Sequence, residues 1–465
     1  MSPVHPLCLI DPEGEKITPM PGGTRAGYQK YFPNCDIHRL TESTTPFIDT
    51  ATTNIYKLGD GKYYHVHGTM DTGPSQKALG IDRTPHLTTS SFKEACDIME
   101  TSTLQHTANE LDELMNETYR QAGTICHSIT EYRETPHGRA NAHVGLYEIH
   151  QHTSSTQHPS WWSSIQNHSS PARPLFALKV LDITRIIAAP TITRELAELG
   201  ASVLRIASPH ITDMSQLQLD LGWGKWNAHL DLRKEEDRMK LKELIMEADV
   251  VVDGYRPGVL QKWGFGKEDI LEMVSERERG IIYAHENCYG WNGPWAHRSG
   301  WQQISDATTG VSLEFGRAMG IDEPVTPVFP NSDFCTGIVG AVGILNALIQ
   351  RGEKGGSYVV DVSHPYEVWD DLWSRYDRFV FHSTDNMGVT IPAYLKVFYE
   401  KKTPVFYENY LEIRKNGALG VNIKTIRPIL NFVEGVVEPG YNVGSRPNGT
   451  DVPKWPVNLL TEVIV

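Results

Sequence analysis

The sequence predicts an α/β fold in which helices cover an open parallel sheet. Residues 178–183 (LKVLDI) and 201–206 (ASVLRI) are continuous apolar runs typical of buried strands, and residues 191–199 between them have helical periodicity. Two further apolar runs, at residues 248–253 and 281–286, follow segments with helical periodicity. Strands that alternate with helices in this way indicate βαβ units and a parallel sheet with right-handed crossovers.

This architecture also predicts where a ligand binds. In open sheets of this kind, ligands occupy the crevice at the carboxyl ends of the strands. The loop after the first strand, TRIIAAP, lacks the GxGxxG pattern of dinucleotide-binding folds. The sequence therefore disfavours a nicotinamide or flavin cofactor.

The overall composition narrows the function classes. With 465 residues, of which 40% are hydrophobic, the chain is long enough for two or three domains with real cores. The formal net charge of -14 argues against a nucleic-acid surface or an anionic membrane surface, because both rely on clustered Lys and Arg. Six cysteines show no ligand-like spacing, which indicates reduced thiols in an intracellular protein and no structural metal.

The apolar segments predict neither export nor membrane insertion. The N-terminus has no apolar core of signal-peptide length, and the longest apolar run, residues 338–349, is too short to span a bilayer. We therefore expect a cytoplasmic protein without a membrane partner.

Residues 1–147 predict a Pro-rich arm followed by a smaller α+β part. A Gly-Asp-Gly turn at residues 59–61 precedes an alternating segment, residues 63–67, which is typical of a hairpin. His65 and His67 share one strand face, where they either ligate a metal or belong to the sheet surface. Because no third ligand lies nearby in the sequence, the sheet surface is favoured.

Residues 148–174 are dense in His, Ser, Gln and Pro and are interpreted as a linker. A metal site among the linker histidines is disfavoured, because no strand or helix is predicted beside them to fix the ligand geometry. The linker leads into the α/β domain, residues 175–370. The remaining residues, 371–465, show little periodicity and are interpreted as an extension that packs on the core.

Asp333 stands before an apolar run rich in Gly and Ala, where a helix is expected to begin. The unpaired N–H groups and the positive dipole at a helix start favour the ionised carboxylate. Such a residue is either an N-cap or a nucleophile, and this stretch alone favours the cap. The small residues Gly337, Gly340, Ala341 and Gly343 allow the helix to lie close to another backbone or to a ligand.

Four segments, taken together and in order, carry a resemblance to a known family. They are VLDITRIIAAPTITRELAELGASVLRI, LDLRKEEDRMKLKELIMEADVVVDGYRPGVLQKWGFG, RGIIYAHENCYGWNGPW and SDFCTGIVGAVGILNALIQRGEKGGSYVVDVS. As a set they resemble the class III CoA-transferases, or CaiB/BaiF family, which includes formyl-CoA transferase and the α-methylacyl-CoA racemases. The resemblance covers residues 175–370 and implies that this part is a Rossmann-like large domain.

The resemblance also implies a catalytic residue and a CoA site. Asp333 occupies the position of the family's active-site carboxylate, which attacks an acyl-CoA thioester, forms a mixed anhydride and is then converted to an aspartyl-CoA thioester. The resemblance therefore favours a nucleophile over an N-cap as the role of Asp333. The residues that would line the CoA site are Ile186, Ile187, Ala188, Gly254, Tyr255 and Arg256, with Lys225 near the phosphates.

Substrates and assembly follow from the same resemblance. It implies acyl-CoA and a carboxylic acid as substrates, no tightly bound cofactor, and an interlaced homodimer. The aromatic residues Trp161, Trp162 and Trp455, outside the regular core, suit arms that wrap a second chain.

The chain departs from the family pattern at several positions. Trp226 stands where an Arg is usual, and it either stacks on the CoA adenine or anchors the core. Gly300 is followed by Trp301 and Gln302 in place of the His-Asp pair of the racemases, which disfavours proton transfer at an α-carbon. CoA transfer is therefore predicted, with a CoA-thioester racemase and a non-catalytic CoA-binding copy as alternatives. Because the smaller part precedes the large domain, a tandem or truncated member is expected.

Overall fold

The computed structural model describes residues 8–10, 16–17, 31, 46–81, 89–166, 168–211, 213–214, 217–363, 380–400, 410–428, 432–433 and 436–465. Most of the predicted N-terminal arm lies outside these residues, as does the start of the predicted C-terminal extension.

The described strands, in chain order, are β1 (Cys8–Ile10), β2 (Lys16–Ile17), β3 (Asn54–Lys57), β4 (Tyr63–Val66), β5 (Gly123–Ile125), β6 (Tyr147–His152), β7 (Lys179–Ile183), β8 (Ser202–Ala207), β9 (Lys225–His229), β10 (Val250–Asp253), β11 (Ile282–Asn287), β12 (Ser357–Ser363), β13 (Leu411–Asn416) and β14 (Val421–Ile426). The described α-helices are α1 (Pro46–Ala51), α2 (Gly73–Ala78), α3 (Phe92–Thr103), α4 (Ala108–Asp112), α5 (Ile129–Glu134), α6 (Pro136–Asn141), α7 (Ala188–Glu198), α8 (Gln218–Leu221), α9 (Glu235–Glu247), α10 (Lys267–Met273), α11 (Gln302–Thr309), α12 (Val311–Ala318), α13 (Asn331–Lys354) and α14 (Met387–Glu400).

A seven-stranded sheet forms the centre of the large domain. Its order is β6-β12-β11-β10-β7-β8-β9, and all neighbours pair in parallel except β6 with β12. The parallel strands thus run β9-β8-β7-β10-β11-β12 across the sheet, which is the strand order of a Rossmann fold. The predicted α/β class with an open, Rossmann-like sheet is confirmed. The order reverses between β7 and β10, and this is where such sheets leave a crevice for a ligand.

The inner strands are apolar on both faces because helices cover the sheet on both sides. In β7, Val180 packs into one buried cluster while Leu181 packs into the other. In β10, Val250 packs into the same cluster as Val180, and Val251 packs into the same cluster as Leu181. Strands that are buried on both faces have nearly continuous apolar sequences, and this is why the sequence predicted β7 and β10.

Two strands of the sheet lie where the sequence predicted none. Residues 148–152 belong to β6, so the prediction that a linker begins at residue 148 is wrong for this stretch. The register pairs Ile149 with Val360, and the polar, partly exposed side chains of β6 explain why the strand was missed. β9 was missed because the buried polar residues Lys225 and Asn227 interrupt its apolar pattern.

The N-terminal part contains the predicted hairpin. β3 and β4 pair antiparallel, and β5 adds a third strand. The prediction that His65 and His67 belong to the sheet surface is wrong, because both are buried. Burial lowers their pKa values to about 4 and about 3, with a further contribution to His67 from His65. Both imidazoles are therefore neutral, and the His67 ring stacks on the Trp301 indole at 5.3 Å.

The last residues of the chain complete the core on the β9 side of the sheet. Trp226 is fully buried, and its indole N–H donates to the Thr461 carbonyl at 2.8 Å. Trp455 and Ile464 pack into the same buried cluster. Of the two alternatives for Trp226, the structure therefore supports the core anchor and not a stack on adenine.

Helix α13 crosses the sheet face next to α7 and begins earlier than predicted. It starts at Asn331, so Asp333 lies inside the first turn and is not the N-cap residue. A Cβ atom added to Gly337 would lie 2.3 Å from the Thr191 Cβ, so the two backbones approach too closely for any side chain there. By length and composition alone α13 could cross a membrane, but half of its apolar window is buried within this fold.

Candidate active site

A cavity of about 440 Å³ opens at the carboxyl ends of the central strands. It is lined by the loops that follow β7, β10 and β11, by the first turn of α13, and by residues 69–71 of the N-terminal part. Since β7 and β10 flank the point where the strand order reverses, the cavity occupies the position expected for a ligand in this fold. Its volume lies within the usual range of small-molecule sites.

The loop after β7 supplies one wall. Arg185, Ile186, Ile187 and Ala188 all line the cavity, and Ala188 is the first residue of α7. Ile186 has a φ of 72°, a left-handed conformation that a β-branched residue adopts only under strain of about 1–3 kcal/mol. Such strain concentrates at functional sites, where the surrounding structure holds it in place.

The loop after β10 supplies the facing wall. Gly254, Tyr255 and Arg256 line the cavity, and a Cβ on Gly254 would lie 2.6 Å from the Ala189 Cβ. Asp253 fixes this loop by accepting hydrogen bonds from the Tyr255 N–H and the Tyr283 hydroxyl, both at 2.9 Å. Burial raises the pKa of Asp253 to about 6. Because Gly254 lies this close to Ala189, the loops after β7 and β10 pack directly against each other.

Asp333 lines the cavity from the first turn of α13. Its neighbour Ser332 donates a hydrogen bond to Asp306 at 2.7 Å. The Gln302 amide donates to the other oxygen of Asp306, also at 2.7 Å, and Gln302 itself lines the cavity. Asp306 therefore links the start of α11 to the start of α13 by hydrogen bonds. These bonds hold the backbone next to Asp333 in position.

Cys288 also lines the cavity, and it is held as a neutral thiol. Burial raises its pKa well above the ordinary value, and the negative charges of Glu286, Asp306 and Asp333 raise it further. The thiol donates to the Trp301 carbonyl at 3.3 Å. Because the thiolate is the reactive form of cysteine, Asp333 is the better candidate nucleophile.

The N-terminal part is joined to this cavity by an ion-pair cluster. Arg298 lines the cavity and contacts Asp112 at 2.9 Å and Glu117 at 3.0 Å. These contacts hold residues 69–71 and the hairpin beside the large domain. The smaller part thus supplies one wall of the site.

Seven of the eight predicted site residues come together at this cavity, and Lys225 does not. Its ammonium is buried on β9 and contacts the Asp182 carboxylate at 2.9 Å and the Pro190 carbonyl at 2.8 Å. Burial opposes ionisation of Asp182, but the positive charges of Lys225 and Arg205 hold its pKa below the ordinary range. The predicted phosphate contact of Lys225 is therefore wrong, because the ammonium is occupied inside the core.

Sequence reasoning missed other residues that line the cavity. Arg185 directly precedes the predicted loop residues and could have been found as the only basic residue of TRIIAAP. Arg298 and Cys288 lie within or near a segment quoted for the resemblance but have no pattern of their own. Residues 69–71 carried no signal, because only the folded chain brings them to the site.

A sequence model of CoA-transferase family III matches residues 175–370. The chain is 46% identical over 480 residues to acetyl-coenzyme A transferase nodX of Hypoxylon pulicicidum, and the alignment covers 100% of this chain and 80% of that protein. It is 35% identical over 420 residues to an acyl-CoA transferase of Gibberella moniliformis, covering 86% of this chain and 73% of that protein.

The chain belongs to CoA-transferase family III. The beta subunit of succinyl-CoA--L-malate CoA-transferase from Chloroflexus aurantiacus is a third relative, 32% identical over 44% of this chain and 53% of that protein. The long alignment with the Hypoxylon protein includes the N-terminal part as well as the large domain. Family membership makes this protein an enzyme of the transferase class, and the predicted recognition is confirmed.

The buried Lys225–Asp182 pair predicts a stability effect. Lys225→Met keeps the side-chain volume but leaves Asp182 as a buried anion without its closest cation. We expect the free energy of unfolding to fall by about 3–5 kcal/mol, measured by urea denaturation. Lys240→Met, which removes an exposed ion pair with Glu243, is the matched control and should change stability by less than about 0.5 kcal/mol. Equal effects of the two variants would show that the buried pair has no special role.

Proposed function

We propose that this family III enzyme moves CoA from an acyl-CoA thioester to a carboxylic acid, with Asp333 as the nucleophile. The observation that supports this is the position of the Asp333 carboxylate, in one cavity with the loops after β7 and β10. The names of the relatives, which include acetyl-CoA and acyl-CoA transferases, point to the same chemistry.

The proposed reaction is a series of acyl substitutions at one carboxylate. An oxygen of Asp333 attacks the thioester carbon, the C–S bond breaks, and CoA leaves as the thiolate from an acyl-aspartyl anhydride. The thiolate then attacks the aspartyl carbonyl carbon, which releases the first acid and leaves an aspartyl-CoA thioester. An incoming carboxylate attacks the carbonyl carbon of that thioester, the C–S bond breaks, and CoA leaves as the thiolate from a second anhydride. The returning thiolate attacks the new acyl carbon and regenerates Asp333.

Positive groups around the cavity support binding of an anionic ligand. Arg185 and Arg256 line it from facing loops, and desolvation together with the positive charges of Arg185 and Arg120 lowers the pKa of Arg256. α7 and α13 both begin at the cavity, and the structure shows no side-chain cap among the described residues at either start. Their N–H groups and dipoles favour phosphate groups and the oxyanions of the acyl substitutions.

Replacement of Asp333 by Asn tests the nucleophile. The amide keeps the shape of the side chain and removes the attacking oxygen, so Asp333→Asn should lose CoA transfer by at least ~1,000-fold while the thermal unfolding temperature stays unchanged. Incubation of the native protein with a panel of acyl-CoAs and hydroxylamine should place a hydroxamate on Asp333, found by peptide mass spectrometry.

Asp322→Asn, at a surface carboxylate paired with Arg317, is the control and should transfer CoA at the native rate. If Asp333→Asn transferred CoA at the native rate, Asp333 would not be the nucleophile and would have only a structural role at the start of α13. Tight CoA binding without transfer or hydroxamate for any acyl-CoA would favour the non-catalytic alternative.

Arg256→Ala tests the CoA site. Loss of one charge-assisted contact costs about 1.5–3 kcal/mol, so CoA should bind roughly 10- to 150-fold more weakly by calorimetry. Salt screens the attraction between an arginine and the CoA phosphates, so the native affinity should also rise as salt is lowered, and this dependence should weaken in the variant. Arg317→Ala, which removes an exposed arginine elsewhere, should leave the CoA affinity unchanged. Equal affinities of the native protein and Arg256→Ala would place the phosphates elsewhere.

We also propose a homodimer, as the resemblance implies, but from different residues than the sequence suggested. The cytoplasmic location expected from the apolar segments is kept as part of this proposal. Trp162 and Trp455 pack on this chain itself, and only Trp161 is exposed. Helix α13 instead exposes an apolar stripe that includes Ile338 and Val342. Sedimentation velocity at micromolar concentration should show a dimer, and Ile338→Asp should shift it towards monomer. A native monomer would contradict the proposal.

A further inference from the structure

Glu148, His150, His285 and Asp361 lie close together on one face of the sheet, at the edge formed by β6. The strand register places Asp361 of β12 between Glu148 of β6 and His285 of β11. His150 lies two residues after Glu148 on the same face of β6, because side chains of a strand alternate between faces. None of the four lines the cavity that contains Asp333.

The ligand atoms of three of these side chains lie close together. One ligand atom each from Glu148, His150 and Asp361 lie within 4.8 Å of one another. The His150 Nε2 stands 3.4 Å from the Asp361 Oδ2, which is long for a hydrogen bond. Two ligand atoms at about 2.1 Å from a tetrahedral metal ion are separated by about 3.4 Å. The pair is therefore spaced as two ligands of one ion would be.

The outer contacts also resemble those of a metal site. The His285 imidazole hydrogen-bonds the second oxygen of Asp361, and the Trp291 ring stacks on His285 at 3.5 Å. The Asn292 amide donates to Glu148 at 2.8 Å. Metal-binding carboxylates are oriented by partners of this kind.

We propose that Glu148, His150 and Asp361 bind a divalent transition-metal ion of the zinc class. Imidazole selects such ions over Mg²⁺ and Ca²⁺, and two carboxylates balance the charge of a dication. Three protein ligands leave a position for water, and His285 acts as the outer partner of Asp361. The ion connects β6 to β12 and so fixes the chain from the smaller part to the edge of the large domain. The sequence argument against a metal here was the lack of a flanking strand, and β6 supplies that strand.

The test is metal binding by tag-free protein stripped with EDTA. Calorimetric titration with Zn²⁺ should show one equivalent per chain, and Co²⁺ should give the visible absorption of a tetrahedral site. Glu148→Gln and His150→Ala should each weaken Zn²⁺ binding at least ~10-fold, and His285→Ala should weaken it by about 10- to 100-fold. His150 is 52% exposed, so its replacement does not threaten the fold, and circular dichroism checks this.

The matched control is His152→Ala, which removes an exposed imidazole from the same face of β6 outside the ligand set. It should bind Zn²⁺ within twofold of the native protein. The proposal is overturned if the native protein binds no Zn²⁺, if Glu148→Gln and His150→Ala bind it as tightly as the native protein, or if His152→Ala loses as much affinity as they do. None of these outcomes depends on CoA transfer.

Discussion

The close contact between α7 and α13 is the constraint on which the site depends. Gly337 and Gly340 of α13 face Thr191 and Ile192 of α7, and a Cβ at either glycine would lie 2.3 to 2.5 Å from those side chains. Two helices packed this closely have only one relative arrangement, so their first turns are fixed relative to each other. Because Ala188 begins one helix and Asp333 lies on the first turn of the other, the contact determines how far the carboxylate stands from the loop after β7.

Two groups of charged residues differ in their surroundings: one group is buried in the core, and the other lines the cavity. Lys225 and Arg205 are buried and paired with Asp182 and Asp213, while Arg185 and Arg256 line the cavity. The C-terminal residues reinforce the first group: Asn448 contacts Arg205 at 2.6 Å. Removal of a core charge is expected to lower stability, whereas removal of a cavity charge is expected to lower affinity. Sequence position alone does not separate the two groups.

The sequence predicted the parts of the fold whose signals are local. β7 and β10 are buried on both faces and were visible as apolar runs, whereas β6 and β9 carry polar residues and were not. Asp333 was predicted from the resemblance, and its place in the cavity agrees with that. Lys225 was assigned to the phosphates from the resemblance. The sequence could not correct this, because the partner that buries it, Asp182, lies on a strand 43 residues earlier in the chain. The position of residues 69–71 at the cavity also depends on tertiary contacts, so it was not visible in the sequence.

β6 has a consequence for how the large domain can be isolated. The family match begins at residue 175, which excludes this strand. Without β6, the N–H and C=O groups on one side of β12 would lose their partners along residues 357–362, a stretch that includes the apolar residues Val360 and Val362. Unprotected edge strands of this composition pair with other chains and aggregate. We therefore expect the folding unit to extend at least to Tyr147, a boundary that differs from the boundary of sequence similarity.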